Sequence, residues 1–163
     1  MASALRVQVS PSALFHYKLN SISPVLSKDP DLIVVIISNG PGELSTWVKP
    51  VAKKLDEELK INPFTKDKKI SLRLALVPCP NATGKEYQVA QQWDCFEKIY
   101  QAKYFWKLLI NPKKFSFWPS KGIVLFLGGD QFWNVLLSAR LNYKSITYAE
   151  WIARWPYWND LIA

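Results

Sequence analysis

Two carboxylates stand beside glycine-rich turns in this 163-residue chain: Glu43 in Gly40-Pro41-Gly42-Glu43-Leu44-Ser45, and Asp130 after Gly128-Gly129. A carboxylate in such a place can take a proton from a hydroxyl as general base, or accept hydrogen bonds from ligand hydroxyls. It can equally serve the helix behind it. Glu43 would then favour the positive end of a helix dipole, and Asp130 would cap the helix that begins at Gln131. Residue type leaves both readings open. With Asn39, the glycines at 40 and 42 permit a sharp turn and close approach of a ligand, and free N–H groups at a helix start suit an anion. The spacing is near the dinucleotide fingerprint G-x-G-x-x-G, but Ser45 replaces the third glycine. The next strand ends at Val77-Pro78 without an acidic residue for a ribose hydroxyl, so the NAD reading fails.

A second group of residues carries charge and aromatic surface. Lys103, Lys107, Lys113, Lys114 and Lys121 alternate with Tyr104, Phe105, Trp106, Phe115, Phe117 and Trp118. Rings with lysines can lie in a lipid headgroup layer, the lysines on phosphates. The same mix can stack bases of single-stranded nucleic acid, or pack as an amphipathic helix and loop on its own domain. The preferred reading is a membrane surface made by Lys103, Trp106, Lys107, Lys113, Lys114, Phe117 and Trp118, with no nucleic acid as partner. Farther on, Glu150 and Arg154 stand four apart. A helical pair at that spacing is worth only ~0.3 to 0.5 kcal/mol, which leaves a substrate-binding role open for both. Cys79, Cys95 and the single His16 do not make a metal motif. Both cysteines read as free thiols, and no metal ligand is expected.

The elements that must position these residues follow from hydrophobic pattern. Leu32 to Ile37 is an unbroken run rich in β-branched residues, the signature of a strand buried on both faces. A helix is expected over 45–60, with Ser45 as cap and Val48, Val51, Ala52, Leu55 and Leu59 on one face. Pro50 sits deep for that start, which moves the expected beginning toward Lys49. Ile70 to Val77 reads as the second strand, 86–93 as a short helix, and 96–110 as one or two more helices. Gly122 to Leu127 is the third strand, 131–141 a helix, and 145–148 a fourth short strand. Strands alternating with helices imply an α/β fold with a mostly parallel sheet, right-handed crossovers and both glycine turns at the carboxyl edge.

Bulk properties bound the function classes. About half the residues are apolar (49%) and 21% charged, a globular composition. No apolar run reaches the ~18 to 20 residues of a membrane span. The net charge of +8 favours an anionic partner. Eight Trp are found beside many Lys and Arg, a mixture suited to a membrane surface or, alternatively, to a Trp-rich core. Residues 1–30 are Ser-rich, contain Pro11, Pro24 and Pro30, and have no acid before Asp29. They are expected to be a weakly structured tail, with a short edge strand around Leu5 to Val9, or a transit peptide. Trp151 to Ile162 is strongly aromatic without a closing turn, so the chain is expected to be truncated at its carboxyl end or to have a partner.

Three stretches together resemble the lipid-A-disaccharide synthase family: Ile36 to Glu43, Leu127 to Phe132, and Tyr148 to Trp155. The resemblance covers 31–163. It implies a Rossmann-like three-layer domain, the amino-terminal half of a GT-B fold, with residues 31–163 as the acceptor side. It further implies an inverting transfer from a UDP-sugar, as co-substrate, to a lipid-linked acceptor. No cofactor or metal is required. The enzyme would be peripheral on the cytoplasmic face of a membrane, or in an organelle if residues 1–30 are a transit peptide. The nucleotide-sugar domain would lie in a missing carboxyl-terminal half or a separate chain. On this resemblance Asp130 is the catalytic base, and Gly42 and Glu43 match the family's first Gly-Glu turn. Substrate binding then falls to Asn39, Gly40, Gly42, Glu43, Gln131, Glu150 and Arg154. The family's second Gly-Asp pair is replaced by Leu44-Ser45-Thr46-Trp47, which implies a different acceptor. The alternative is a non-enzymatic α/β module that binds an acidic lipid surface or a protein partner.

Overall fold

The computed structural model describes residues 29–149 and 152–163. The expected edge strand near Leu5 to Val9 and the site residue Glu150 lie outside them. β1 (Leu32–Ser38) is central because its residues are apolar in both pleat directions. Ile33, Val35 and Ile37 enter one core and Val34 and Ile36 the other. Burying one such side chain contributes roughly 1.5 to 3 kcal/mol, so neither face of this strand can be left in water.

β1 pairs in parallel with β2 (Ile70–Leu76) on one side and β4 (Gly122–Phe126) on the other. β3 (Lys98–Tyr100) lies outside β2, and β5 (Lys144–Thr147) and β6 (Leu161–Ile162) outside β4. The order is β3-β2-β1-β4-β5-β6, all pairs parallel. This is a Rossmann-like α/β arrangement. On one face lie α3 (Phe105–Ile110) and α4 (Phe132–Leu141), which contribute Phe105, Leu108 and Leu137 to the core. On the other lies α1 (41–61), which contributes Leu44, Val48 and Ala52.

Regular α-helix in α1 starts at Lys49, as Pro50 led one to expect, and not at Ser45, but the helical path begins earlier. It begins at Pro41–Glu43, passes through a π-helical turn at Leu44–Val48, and continues as Lys49–Ile61. Gly40 is its N-cap and Pro41 its first residue, where a missing N–H costs nothing. The π turn deals with Pro50. Lys49 donates five residues back to Leu44 O, and the widened turn takes the proline ring off the carbonyl it would strike in a regular helix. Ser45 caps nothing.

Two short strands replace expected helix or loop. Lys98–Tyr100 falls inside the stretch read as helical; the helices there shrink to a 3-10 turn at Ala102–Tyr104 and α3. The physical reason is that Ile99 and Tyr100 serve opposite cores, which only a strand permits at adjacent positions. α2 (Glu86–Ala90) is also shorter than expected. β6 gives the aromatic end of the chain a place in the sheet. It is held by Asp160, which accepts from Ser145 N–H at 2.8 Å and Lys144 Nζ at 2.6 Å. Inside it, Asn134 Nδ2 donates to Thr147 Oγ1 at 2.7 Å and to Asn159 Oδ1 at 2.9 Å. Among the described residues no helix is long and apolar enough to cross a membrane.

Candidate functional site

The strand order reverses between β1 and β4, and their carboxyl ends open a crevice where ligands bind in open α/β sheets. A cleft of about 610 Å³ occupies this position. α1 lends it Glu43 and Trp47, the turn after β4 lends Gly128 to Gln131, and the chain after β5 lends Tyr148, Ile152 and Arg154. The rings of Trp47 and Tyr148 touch in a tilted arrangement, with centroids 5.2 Å apart and planes at 44°.

Glu43 is half-buried, and the glycines around it make its seat. A Cβ at Gly40 would lie 2.0 Å from Glu43 Oε2, and one at Gly128 would lie 2.5 Å from Glu43 Cγ. The carboxylate therefore lies folded over the start of α1, against the positive end of the helix. Gly40 thus gives room to Glu43 and not to a ligand, contrary to the expectation from its type. Gly42 is exposed, and a Cβ there would meet nothing within 4 Å.

Asp130 is exposed at the mouth of the cleft. Its Oδ1 accepts from Phe132 N–H at 3.0 Å, so the carboxylate does serve the start of α4. It remains a lining group of the cleft as well. Gln131 is committed at both ends of its amide: Nε2 donates to Ile152 O at 3.0 Å, and Oε1 accepts from Arg154 N–H at 2.9 Å. Its work is to pin 152–154 along the cleft, and with that segment comes the exposed Arg154 side chain.

The expected catalytic Asp130 and, of the expected substrate-binding residues, Glu43, Gln131 and Arg154 come together here. Asn39 does not join them. It lines a smaller cleft of about 190 Å³ toward β2 and β3. Gly40 and Gly42 line neither cleft. Trp47 and Tyr148 also line the cleft, though neither belongs to a glycine turn that would mark it as a site residue. Trp47 stands one helical turn beyond Glu43, and that i, i+4 spacing was the available signal. Among the described residues no group of three His, Cys, Asp or Glu comes together.

The basic-aromatic stretch divides. Lys103, Trp106, Lys107, Lys113, Lys114 and Phe117 are exposed, with Trp106 53% and Phe117 46% accessible. Ile110 joins Trp106 on α3 one turn later, at 74%. Lys103 and Lys107 hold their ammonium groups 4.9 and 5.8 Å from the Tyr104 ring centre. Trp118 belongs elsewhere. Its Nε1 donates to Pro112 O at 2.8 Å, its ring stacks on Tyr100 at 5.7 Å, and the Arg73 guanidinium lies 4.9 Å from its centre. The ring is a packing group because it covers a buried cation. Arg73 is 2% exposed and donates to Ser71 Oγ, Tyr100 OH and Phe117 O. Beside it, burial and the Arg73 charge push the Lys98 ammonium below its ordinary pKa, and Lys98 Nζ donates to Phe115 O. Two cations thus tie the 115–117 loop to the sheet through carbonyls.

No family model matches the sequence, and comparison with curated proteins finds no match. Among solved structures the chain is similar to a protein of unknown function from Vibrio parahaemolyticus. The two share 10% identity with a TM-score of 0.44, over 84% of this chain and 94% of the other.

Proposed function

We propose that this chain is the acceptor-binding half of a UDP-sugar-dependent glycosyltransferase of the lipid-A-disaccharide synthase type. The observation that carries the reading is the meeting of Glu43, Asp130 and Arg154 with the Trp47 and Tyr148 rings in one cleft at the carboxyl edge. Carboxylates accept from sugar hydroxyls, and aromatic faces cover the apolar faces of a sugar ring. The position of Glu43 adds a selection. A carboxylate already lies over the helix start that would otherwise hold a phosphate. An uncharged hydroxylated group is favoured beside it, while Arg154 remains for an anionic substituent.

In the proposed reaction an acceptor hydroxyl attacks the anomeric carbon of the donor sugar. The new C–O bond forms as the bond to UDP breaks, with inversion, and Asp130 takes the hydroxyl proton. The second domain supplies the donor. The lipid part of the acceptor fits the exposed lysines and rings of 103–117, since Lys103 both begins that stretch and lines the smaller cleft at the same sheet edge.

Asp130→Asn is the informative substitution, because an amide oxygen can still accept from Phe132 N–H while the base is lost. In protein assembled with its donor domain, turnover falls by about 10² or more with the melting temperature unchanged. Turnover within a few-fold of normal removes Asp130 from the catalytic role. A second reading, a non-enzymatic binding module, is favoured by the exposed Tyr157 and Trp158 beside β6, at 98% and 65%. Full sugar binding by the main cleft, together with transfer activity, would dismiss it.

A further inference from the structure

The smaller cleft, of about 190 Å³, also opens at the carboxyl edge, but on the β2–β3 side of the turn that carries Asn39. It is separated from the main cleft by little more than one residue. Gly129, which lines the main cleft, has φ of +101°, and a Cβ on it would lie 2.4 Å from Asn39 Nδ2. Asn39 in turn lines the smaller cleft. A ligand large enough to leave the main cleft across this thin wall enters the second one directly.

The lining defines what would fit. Leu76, Ala82 and Ala102 give apolar surface, and Asn39 and Gln101 give amides. Asn39 Oδ1 is buried without a hydrogen-bond partner in the chain, a state that native proteins rarely leave uncompensated. A rotation of that amide presents it to a ligand hydroxyl. Glu86, only 6% exposed, is held by Thr83, whose N–H and Oγ1 both donate to its Oε1 at 2.6 and 2.9 Å. Its charge stays in the wall of the cleft and is opposed at the rim by Lys103. The local balance is near neutral and disfavours an anion inside. The volume lies under the ~300 Å³ at which drug-sized sites begin, enough for one ring and not for two.

We propose that the smaller cleft is a subsite for one uncharged sugar ring, so that the acceptor carries at least two linked rings, one in each cleft. This rests on the reading of the main cleft as a sugar site. It assigns Asn39 and Gln101 as its hydrogen-bonding residues, with Ala82 and Ala102 as its apolar walls.

The test uses the whole chain, isotopically labelled, titrated with octyl glucoside and octyl maltoside below their micelle concentrations. Backbone amide shifts are read in both clefts. The disaccharide binds about tenfold more tightly than the monosaccharide, the gain from one or two added hydrogen bonds. It alone shifts Gln101 and Ala102. Ala82→Phe, at an exposed loop position, fills the smaller cleft and removes the difference while leaving octyl glucoside binding unchanged. Gln101→Ala reduces the difference without adding bulk. Equal affinities, with shifts confined to 128–131 and 152–154, overturn the subsite and leave the main-cleft reading standing. Shifts confined to the smaller cleft contradict the main-cleft reading and, with it, an acceptor that spans both clefts. No shift in either cleft overturns both.

Discussion

A Cβ at Gly122 would stand 2.1 Å from Cε2 of Tyr143, so glycine and ring share a single buried slot at the start of β4. Tyr143 OH donates to Pro119 O at 2.9 Å, and burial pushes its pKa up to about 12. The sign follows from linkage. The unfolded phenol ionises near ~10, while the folded one holds its proton longer. The contribution of Tyr143 is complete below that ordinary value and is lost as pH rises through the folded value. Urea unfolding between about pH 9 and 11.5 should show stability falling, and Tyr143→Phe should flatten the fall. An unchanged slope would mean that the ring is not held as described. At this same scale the sequence was only partly legible. Asp130 and Glu43 announced themselves by their neighbours. The seat of Glu43 over Gly40 and Gly128 did not, because it joins two turns 85 positions apart in number, Glu43 and Gly128. Trp118 resembles one more surface ring in sequence for a related reason: it lies in the loop before β4, whereas Arg73, which it covers, is on β2.

Elements with long patterns could be read directly. β1 is an unbroken apolar run up to Ser38, β2 is an apolar run interrupted by Ser71 and Arg73, and burial on both faces fits their parallel pairing. β3 and β6, of three and two residues, are too short to carry any period. Their strand character comes from hydrogen bonds to β2 and β5. The π turn in α1 is the compromise between Pro41 at the helix start and Pro50 inside it, and no single-residue preference reveals it. β6 offers the clearest test of an element. A hydrogen bond from Lys144, with a second from Ser145 N–H, holds the Asp160 carboxyl below its ordinary pKa. Its contribution is present above the ordinary aspartate value and disappears as pH falls through the lowered one. Asp160→Asn should therefore loosen the end of the sheet at neutral pH. The amide of Ala163, bonded to Thr147 O at 2.9 Å, should lose hydrogen-exchange protection while β1 amides keep theirs. Equal protection of Ala163 in both proteins would show that Asp160 does not anchor β6.

For the molecule as a whole, the +8 charge and the parallel sheet were both evident from sequence, and together they frame the proposed role at a lipid surface. In that proposed role, the exposed Trp106 and Ile110, one turn apart on α3, would enter a headgroup layer, with Lys107 and Lys113 supplying charge. Vesicles containing anionic lipid should bind the chain more tightly than neutral ones. Lys107→Gln with Lys113→Gln should weaken that binding, by roughly 1 kcal/mol for each lysine removed, and added salt should weaken it further. Equal binding to both vesicle types would remove this surface from the account.

The cleft between β1 and β4 is proposed to receive a sugar. Titrating the labelled chain with octyl glucoside below its micelle concentration tests it most directly. A sugar in this cleft gives saturable shifts at Gly128 to Gln131 and at 152–154, weakened by Glu43→Gln. Shifts that are absent there, or that persist unchanged in Glu43→Gln, would contradict it.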